Sequence, residues 1–212
     1  MIRIFLVRHG ESAWNVTHRY TGQEDPPLSE LGRLQAQRLA ERLRAEPVEA
    51  IYSSAARRAV ETAQPIAKLK SLPVVLEPAF LEIHHGLWQG LTVAEVAERF
   101  PNEVAMWRDQ PQNVQMPNGE SLDDVRRRAI PAFRRILGKH PNQSIAIFSH
   151  DAVQRVILLN SLGCSFARFW EWRIENASVT ILEQQGEEFR LASLNDVAHL
   201  EGVAADYESQ AL

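Results

Sequence analysis

The sequence predicts an α/β fold: a three-layer α/β/α sandwich in which a mostly parallel central sheet carries helices on both faces. Three observations predict it. Short apolar runs of strand length alternate along the chain with longer runs of helical period. Two of the short runs, residues 2–7 and 144–149, are followed at once by polar residues, as at the carboxyl ends of buried parallel strands. Residues 153–162 are apolar almost all round, which is typical of a buried crossover helix.

The first half of the chain holds three predicted strands and two predicted helices. The strands cover residues 2–7, 48–52 and 73–76. A polar loop over 16–27 leads to a helix that Ser29 caps and whose apolar residues repeat with spacings of three and four. The serine pair at 53–54 opens the second helix, which has Arg57 and Arg58 in its first turn.

The second half is predicted to begin with a loop and to end with two strands. Residues 82–90, in which two glycines bracket a tryptophan, form a loop with defined turns. Helices are expected over residues 92–100, from 119–121 through a kink at Pro131, and over 153–162. Val93, Val96 and Phe100 are expected to face inward, and residues 101–119 to be irregular. Strands are expected over residues 144–149, 177–182 and 189–194. The Gln-Gly turn at 185–186 allows the last two to pair antiparallel at an edge.

Composition predicts one globular domain over residues 1–212 that acts on a small molecule. With 45% hydrophobic and 24% charged residues, the chain can bury a sizeable core, and no Pro/Gly/Ser-rich linker divides it. The net charge of −4 gives no basic field for nucleic acid, so we expect no such partner. The single cysteine, Cys164, cannot form an intrachain disulfide, and no apolar run approaches the roughly 18 residues of a membrane span. We therefore expect a cytoplasmic protein without a membrane partner.

Two predicted strands deliver one histidine each, His9 and His150, to the same edge of the sheet. Arg8 precedes the first of them, and Arg58 stands in a helical turn where the helix dipole favours an anion and disfavours cations. Backbone amides at the start of the helix after His150 add further donors. These groups predict a pocket for a tetrahedral dianion, because a guanidinium fork matches two phosphate oxygens at once.

The residue types in this pocket predict phosphoryl transfer. An imidazole that is neutral near pH 7 is a nucleophile for phosphorus, and a second, protonated imidazole stabilises charge on the equatorial oxygens. The leaving alkoxide also needs an acid. A carboxyl group beside a bound phosphate dianion has its pKa raised by the like charge and can hold a proton at neutral pH. Glu82, which opens the loop marked by glycine and tryptophan, is the candidate.

Five dispersed motifs run through the chain: LVRHGESAWN at 6–15, SSAARRAVETA at 53–63, EIHHGLWQG at 82–90, NGES at 118–121 and FSH at 148–150. Together they resemble the histidine phosphatase superfamily in its phosphoglycerate-mutase-like branch. The resemblance implies a phosphohistidine mechanism in which His9 takes the phosphoryl group and Glu82 acts as acid and then as base. The residues that hold the group would be Arg8, Arg58 and His150.

The resemblance also extends to the substrate pocket. It implies phosphate contacts from Ser12 and Asn15, and we expect further substrate contacts from Thr21 and Gly22. It implies no metal ion and no cofactor. One position departs from the family, which usually has glycine where this chain has Asp151. Its carboxylate either turns away and caps the following helix or meets a cationic part of the substrate.

Three other functions compete with a phosphatase. A metal-dependent hydrolase would use His150-Asp151 and His84-His85, but adjacent histidines point apart on most backbones and no H-E-x-x-H motif appears. A cofactor-dependent phosphoglycerate mutase, an isomerase, would share the nucleophile and differ in the phosphoryl acceptor. The loop at 86–90 looks like the phosphatase version. An inactive binding relative is disfavoured because every chemical residue is present.

Within the phosphatases the chain resembles the metal-independent phosphoserine phosphatases. The resemblance lies in Glu82-Ile83, His85-Gly86, Phe169-Trp170, Asn176-Ala177-Ser178 and Ala198-His199-Leu200. It implies that the tail after Leu194 folds over the mouth of the pocket, where His85 and His199, partly protonated, would hold the substrate carboxylate. Asp151 or another carboxylate would then meet the ammonium group. A broad-specificity phosphatase, or one for another small phosphorylated metabolite, is the alternative, and the related enzymes make a homodimer the expected assembly.

Overall fold

Six strands form one mixed sheet through the middle of the molecule, in a computed structural model that describes residues 1–205. They are β1 (Ile2–Arg8), β2 (Val48–Ser53), β3 (Val74–Leu76), β4 (Ser144–Ser149), β5 (Val179–Gln185) and β6 (Glu188–Asp196). The order across the sheet is β3-β2-β4-β1-β5-β6. The first four strands in this order are parallel to one another, whereas β5 runs antiparallel to both β1 and β6. The predicted mostly parallel sheet with an antiparallel last pair is confirmed.

Helices cover both faces of this sheet. They are α1 (Ala13–Val16), α2 (Glu30–Arg42), α3 (Arg57–Lys70), α4 (Val93–Arg99), α5 (Pro101–Asp109), α6 (Leu122–Lys139) and α7 (Asp151–Ser161). Phe5 and Val7 of β1 pack in one core with residues of α2 and α3, whereas Ile4 and Leu6 pack in a second core with residues of α6 and α7. All four side chains are fully buried, so β1 lies at the centre of the three layers.

Capping side chains fix the starts of two long helices as the sequence predicts. Ser29 Oγ accepts a hydrogen bond from the N–H of Gly32 at the start of α2. At the start of α6, Ser121 Oγ accepts from the N–H of Asp124, whose carboxylate accepts from the N–H of Ser121 in return. The helix then continues through Pro131.

Two segments near α4 differ from the prediction. Residues 101–109, expected to be irregular, form α5; Pro101 opens this helix, where its missing N–H costs no helical hydrogen bond, and Trp107 is buried. Of the residues expected to face inward from α4, Val96 is fully buried, whereas Val93 is 40% exposed.

The chain after β6 turns back against α2. Leu200 and Val203 pack in a small apolar cluster with Ala177, and Gln35 of α2 donates a hydrogen bond to the carbonyl of Val203. Residues 206–212 lie outside the described part, so a single domain over 1–212 stays a prediction. Within residues 1–205, no helix is both long and apolar enough to cross a membrane.

Candidate active site

The carboxyl ends of β1 and β4 bring His9 and His150 side by side. Arg8 lies opposite Ser149 in the register of this parallel pair, so the residues that follow the two strands lie at the same level. The N–H of His9 donates to the carbonyl of Ser149 (3.0 Å). The two imidazole rings lie edge to face with their centroids 5.2 Å apart. Both rings are buried, as expected for groups at the end of central strands.

His9 is a neutral imidazole whose Nε2 carries the lone pair that a nucleophile needs. Its Nδ1 lies 2.7 Å from the carbonyl oxygen of Gly10, so Nδ1 carries the proton and donates it there. Burial, and after it the charges of Arg58 and Arg8, lowers the pKa of His9 well below its usual value. The ring is therefore uncharged at pH 7, with its lone pair on Nε2.

Arg58, the second residue of α3, supplies a buried positive charge beside that lone pair. Its Nε donates to Nε2 of His9 (3.3 Å), and its two terminal nitrogens donate to the carbonyls of Glu24 and Gly22, each at 2.8 Å. Burial lowers the pKa of Arg58 to about 10, which leaves the guanidinium charged at neutral pH. These three hydrogen bonds go to neutral acceptors, so the positive charge is available to an anion.

The first turn of α3 separates the two arginines that the sequence places there. Arg57 points away from the pocket, with its side chain 58% exposed and paired with Glu61. The serine pair at 53–54 precedes the helix and does not cap it. Instead, Ser54 Oγ lies 2.8 Å from Nε2 of His150, a contact that the sequence analysis missed.

Arg8, the last residue of β1, is the second buried guanidinium of the site. Its Nη1 donates to the carbonyl of Ile174 (2.7 Å) and lies 4.0 Å from Oδ1 of Asp151. Arg8 stands directly before His9 at the end of the strand. Two cations, Arg8 and Arg58, and a neutral imidazole therefore surround one small volume. Such a site strongly favours a dianion.

Glu82 is a buried carboxyl group whose surroundings favour its protonated form. One oxygen accepts from the N–H of Ile83 (2.9 Å) and the other from the N–H of Ala152 (3.4 Å). Burial, and after it the charge of Asp151, raises the pKa of Glu82, against the opposing influence of Arg58 and other donors. A carboxyl group held in this way can give a proton to a leaving group near neutral pH.

The loop that carries Glu82 is held in place by Arg128 of α6, a residue that the sequence analysis missed. The Arg128 guanidinium donates to the carbonyls of Ala79, Leu81 and Glu82, all within 3.0 Å. It also forms two hydrogen bonds of 2.8 Å with the carboxylate of Glu120. Glu120 belongs to the NGES motif, which through Arg128 helps to hold the loop that carries Glu82.

His150 differs in protonation from the expectation. The sequence predicts a protonated second imidazole, but burial, and after it Arg58 and His9, lowers the pKa of His150 well below its usual value. In the substrate-free pocket His150 is therefore neutral. It retains one N–H donor for a bound anion, and its Nδ1 is buried without a hydrogen-bond partner.

A recess of about 290 Å³, its open mouth included, is lined in part by His9. Eight of the predicted site residues line it: Arg8, His9, Asn15, Thr21, Gly22, Arg58, Glu82 and His85. Ser12 lies behind Asn15 and donates to its side-chain oxygen from both N–H and Oγ, each at 2.9 Å. Because that oxygen is engaged, Asn15 has its NH₂ group left to offer to the recess. Ser12 thus orients a pocket residue and does not line the recess itself.

His85 lines the recess as a neutral ring. Its ring packs against two aromatic side chains. The centroids of Tyr20 and His85 are 5.1 Å apart, and the ring of Trp88 stacks parallel to that of His85 with its centroid 6.3 Å away. Burial, followed by His84 and Arg58, lowers the pKa of His85 to about 3. The expectation of a partly protonated His85 is therefore wrong for the substrate-free protein, although its buried Nδ1 still has no partner.

Two predicted substrate contacts do not line the recess. Asp151 is the first residue of α7, does not cap it, and pairs with Arg155 (2.9 Å) one turn further along. His199 lies with its Nε2 3.0 Å from the carbonyl of Ala177, in the tail that packs near α2. As far as Ala205, the tail is therefore no lid over the recess, and the predicted roles of Asp151 and His199 as substrate contacts are corrected.

No group of three or more His, Cys, Asp or Glu side chains between residues 1 and 205 is placed to hold a metal ion. The adjacent His84 and His85 diverge as expected, because His84 Nδ1 accepts from the N–H of Gly86 while His85 lines the recess. The positive charge of the pocket comes from its arginines.

The family model of the histidine phosphatase superfamily (branch 1) matches residues 4–197. The chain belongs to this superfamily. It is 37% identical over 200 residues to Phosphoserine phosphatase 1 of Hydrogenobacter thermophilus, covering 94% of this chain and 95% of the relative. It is also 37% identical over 204 residues to Metal-independent phosphoserine phosphatase of Arabidopsis thaliana, covering 94% of this chain and 84% of the relative. Proteins named as phosphoglycerate mutases or mutase-like are among the other relatives.

The solved structure of Bacillus stearothermophilus YhfR superimposes on this histidine phosphatase with a TM-score of 0.90 at 33% identity. The match covers 94% of this chain and the whole of that one. The fold that positions the two histidines is therefore shared with this solved structure.

Proposed function

We propose that this histidine phosphatase is a metal-independent phosphoserine phosphatase that passes the phosphoryl group through His9. That the chain is a phosphoric monoester hydrolase follows from its family and its phosphatase relatives. The substrate and the covalent step are the proposal. The observation that carries it is the Nε2 lone pair of a neutral His9 beside the buried Arg58 guanidinium.

In the first half of the reaction the phosphate group of the substrate enters the recess. Arg8 and Arg58 neutralise its charge, and the Asn15 amide donates to one of its oxygens. Nε2 of His9 attacks phosphorus while the ester P–O bond breaks, and Glu82 gives its proton to the departing oxygen. The Nδ1–H donated to Gly10 stabilises the positive charge that develops on the ring.

In the second half, water takes the place of the departed alcohol. The Glu82 carboxylate removes a proton from this water, whose oxygen attacks phosphorus while the P–N bond breaks and its electron pair returns to Nε2. Inorganic phosphate leaves, and Glu82 is again protonated. His9 returns to the neutral form that its burial favours.

Two observations support phosphoserine as the substrate. Two relatives that match over more than nine-tenths of this chain are named phosphoserine phosphatases. The recess also has a side-chain donor beyond the phosphate site, the buried His85, whose Nδ1 has no partner in the empty pocket. A neutral imidazole in the right tautomer can donate one hydrogen bond to a substrate carboxylate. His199 is no longer needed for that role.

Phosphate release from a panel of substrates tests this function. L-Phosphoserine, L-phosphothreonine, 3-phosphoglycerate and p-nitrophenyl phosphate are compared, and phosphoserine should have the highest kcat/KM. His9→Ala should neither turn over nor trap an acid-labile phosphoryl group, and turnover by that variant would contradict the covalent step. Net isomerisation of 3-phosphoglycerate in the presence of 2,3-bisphosphoglycerate, without phosphate release, would establish the mutase alternative instead.

The expected assembly and location belong to the same proposal. A homodimer is expected from the resembling enzymes, and sedimentation velocity measures it directly. A cytoplasmic location is supported by the single Cys164, which is free and cannot form an intrachain disulfide. Fractionation of cells that express a tagged protein tests that location.

A further inference from the structure

Asp151 is a buried charge that stands next to the pocket without facing it. It is the first residue of α7 and is 3% exposed. Its Oδ2 accepts a hydrogen bond from Nε of Arg155 (2.9 Å), whereas its Oδ1 has no hydrogen-bond partner and lies 4.0 Å from Nη1 of Arg8. Burying a carboxylate costs folding free energy unless the group is well paired. The burial of Asp151 therefore calls for a functional explanation.

Arg155 fixes where the Asp151 carboxylate lies. The guanidinium is itself 1% exposed, and its Nη1 donates to the carbonyl of Phe169 (2.7 Å). Its Cζ lies 5.1 Å and 5.0 Å from the ring centroids of Phe169 and Trp170. Held on two sides in this way, Arg155 keeps Oδ2 occupied, and the remaining oxygen of Asp151 is left directed toward Arg8.

The Glu82 carboxyl group meets the same end of α7. Its Oε2 accepts from the N–H of Ala152, the residue directly after Asp151. Two buried carboxyl groups therefore share one helix start, but their partners differ. Asp151 lies between the guanidinium groups of Arg155 and Arg8. Glu82 is hydrogen-bonded by two backbone N–H groups only.

We propose that Asp151 is a positioning residue of the phosphatase reaction: its carboxylate, buried at the same helix start as Glu82, keeps the proton on Glu82. The proposal rests on the proposed function, because Asp151 acts through the acid of that mechanism. Two interacting carboxyl groups in unequal surroundings divide into one charged and one protonated member.

The effects of the neighbouring groups on the pKa of Glu82 have the signs that this role of Asp151 requires. After burial, Asp151 is the largest cause of its raised pKa, while the Ile83 N–H, Arg58 and Arg8 act in the opposite direction. Removing the negative charge of Asp151 leaves those lowering influences in place. Glu82 should then lose its proton at a lower pH, and fewer enzyme molecules would carry the acid at neutral pH.

The test is the pH profile of Asp151→Asn, which keeps the shape of the side chain and removes its charge. We expect the alkaline limb of kcat for phosphoserine to move down by about one pH unit. The profile for p-nitrophenyl phosphate should not move, because a phenolate leaves without a proton. A ¹³C NMR titration of the Glu82 carboxyl carbon in the substrate-free protein should show the same downward shift.

Further variants separate this role from a structural one. Asp151→Gly installs the residue that is usual in the family and should shift the profile as Asp151→Asn does. The double variant Asp151→Asn/Arg155→Gln replaces the buried ion pair by an amide pair and covers the case in which the single variant folds poorly. Glu171→Gln removes an exposed carboxylate that pairs with Arg168 and is the matched control.

The outcomes are distinct. An unchanged alkaline limb for phosphoserine together with an unchanged Glu82 midpoint would overturn the role of Asp151 and leave the phosphatase function standing. Equal loss of kcat for both substrates at every pH would show a structural role only and would also overturn it. If the wild-type protein released no phosphate from any substrate, the proposed function would fail, and the NMR titration would still decide whether Asp151 controls the proton on Glu82.

Discussion

The Nε–H of Arg58 donates to Nε2 of His9 over 3.3 Å, so the nucleophilic nitrogen and the neighbouring cation hold each other while the pocket is empty. A phosphate dianion offers Arg58 stronger acceptors than an imidazole does. We expect its arrival to draw the Nε–H of Arg58 toward a phosphate oxygen and to free the lone pair of His9 for attack.

Arg58→Lys should lower kcat/KM by about 10²- to 10³-fold, the usual cost of removing one charge-stabilising donor. A lysine keeps the charge but cannot bind two carbonyls and a phosphate with one planar fork. The adjacent Arg57→Lys, on the exposed side of the same turn, is the control and should keep nearly full activity. Similar losses in the two variants would argue against a specific role for Arg58.

Glu82→Gln should distinguish good from poor leaving groups. We expect a loss of about 10²- to 10⁴-fold in kcat for phosphoserine, whose alkoxide needs a proton, and a much smaller loss for p-nitrophenyl phosphate. Glu98→Gln, at an exposed position on α4, should affect neither substrate. If Glu82→Gln lost the same factor on both substrates, Glu82 would not be the acid.

Arg128→Lys should damage the acid step without touching the nucleophile. The lysine cannot reach the carbonyls of Ala79, Leu81 and Glu82 together, so the loop that carries Glu82 loses its fixed position. The expected result is a larger fall in kcat for phosphoserine than for p-nitrophenyl phosphate. Arg127→Lys, whose side chain is 64% exposed, controls for the lost guanidinium. A uniform fall on both substrates would assign Arg128 to general stability.

His85 should make the folded protein less stable in acid. Its pKa is about 3 in the folded state against about 6.5 in an unfolded chain, so the unfolded chain binds the extra proton as the pH falls below 6.5. Stability is therefore complete above that value and is lost toward pH 3. Between pH 7.5 and 5 the loss from this one group should be about 2 kcal/mol.

The free energy of urea unfolding at the two pH values measures this effect. His85→Asn should show a smaller drop than the wild type, because the variant has no imidazole to titrate at this buried site. His18→Asn removes an exposed histidine and should show the wild-type drop. An identical pH dependence in His85→Asn and the wild type would contradict the burial argument.

Activity should survive exhaustive chelation, because Arg8 and Arg58 supply the positive charge that a metal ion would otherwise bring. The measurement is phosphate release before and after dialysis against a chelator. Loss of activity that one divalent ion restores would instead support a metal-dependent reaction.

The parts of the site that local sequence patterns determine could be predicted. The strand ends at Arg8-His9 and at His150 follow from apolar runs that stop at polar residues, and neighbouring parallel strands place such ends together. The helix that Ser29 caps was equally predictable. Of the elements, α5 was missed because an Asn- and Gln-rich composition suggested a loop, although Pro101 was a signal for a helix start.

The remaining features depend on contacts between distant parts of the chain. The direction of the Asp151 side chain is decided by Arg155 and the rings of Phe169 and Trp170, which no local pattern shows. His199 was assigned to the substrate by resemblance, and its actual partner, the backbone carbonyl of Ala177, could not be read from the sequence. The partners of Arg128 are also mostly carbonyls, 46 to 49 residues away.

The two hydrogen bonds from Arg58 to the carbonyls of Gly22 and Glu24 matter when homologous sequences are classified as active or inactive enzymes. They fasten the loop before α2 to the start of α3, so this arginine serves the architecture as well as the chemistry. The His9 side chain, by contrast, forms hydrogen bonds with its own neighbour's carbonyl and with Arg58 and packs against the ring of His150, so it joins no distant loops. A lineage that gave up catalysis could therefore drop the histidine at little structural cost while selection for folding still retained the arginine. When homologous sequences are screened for active enzymes, the position of His9 is therefore more informative than that of Arg58.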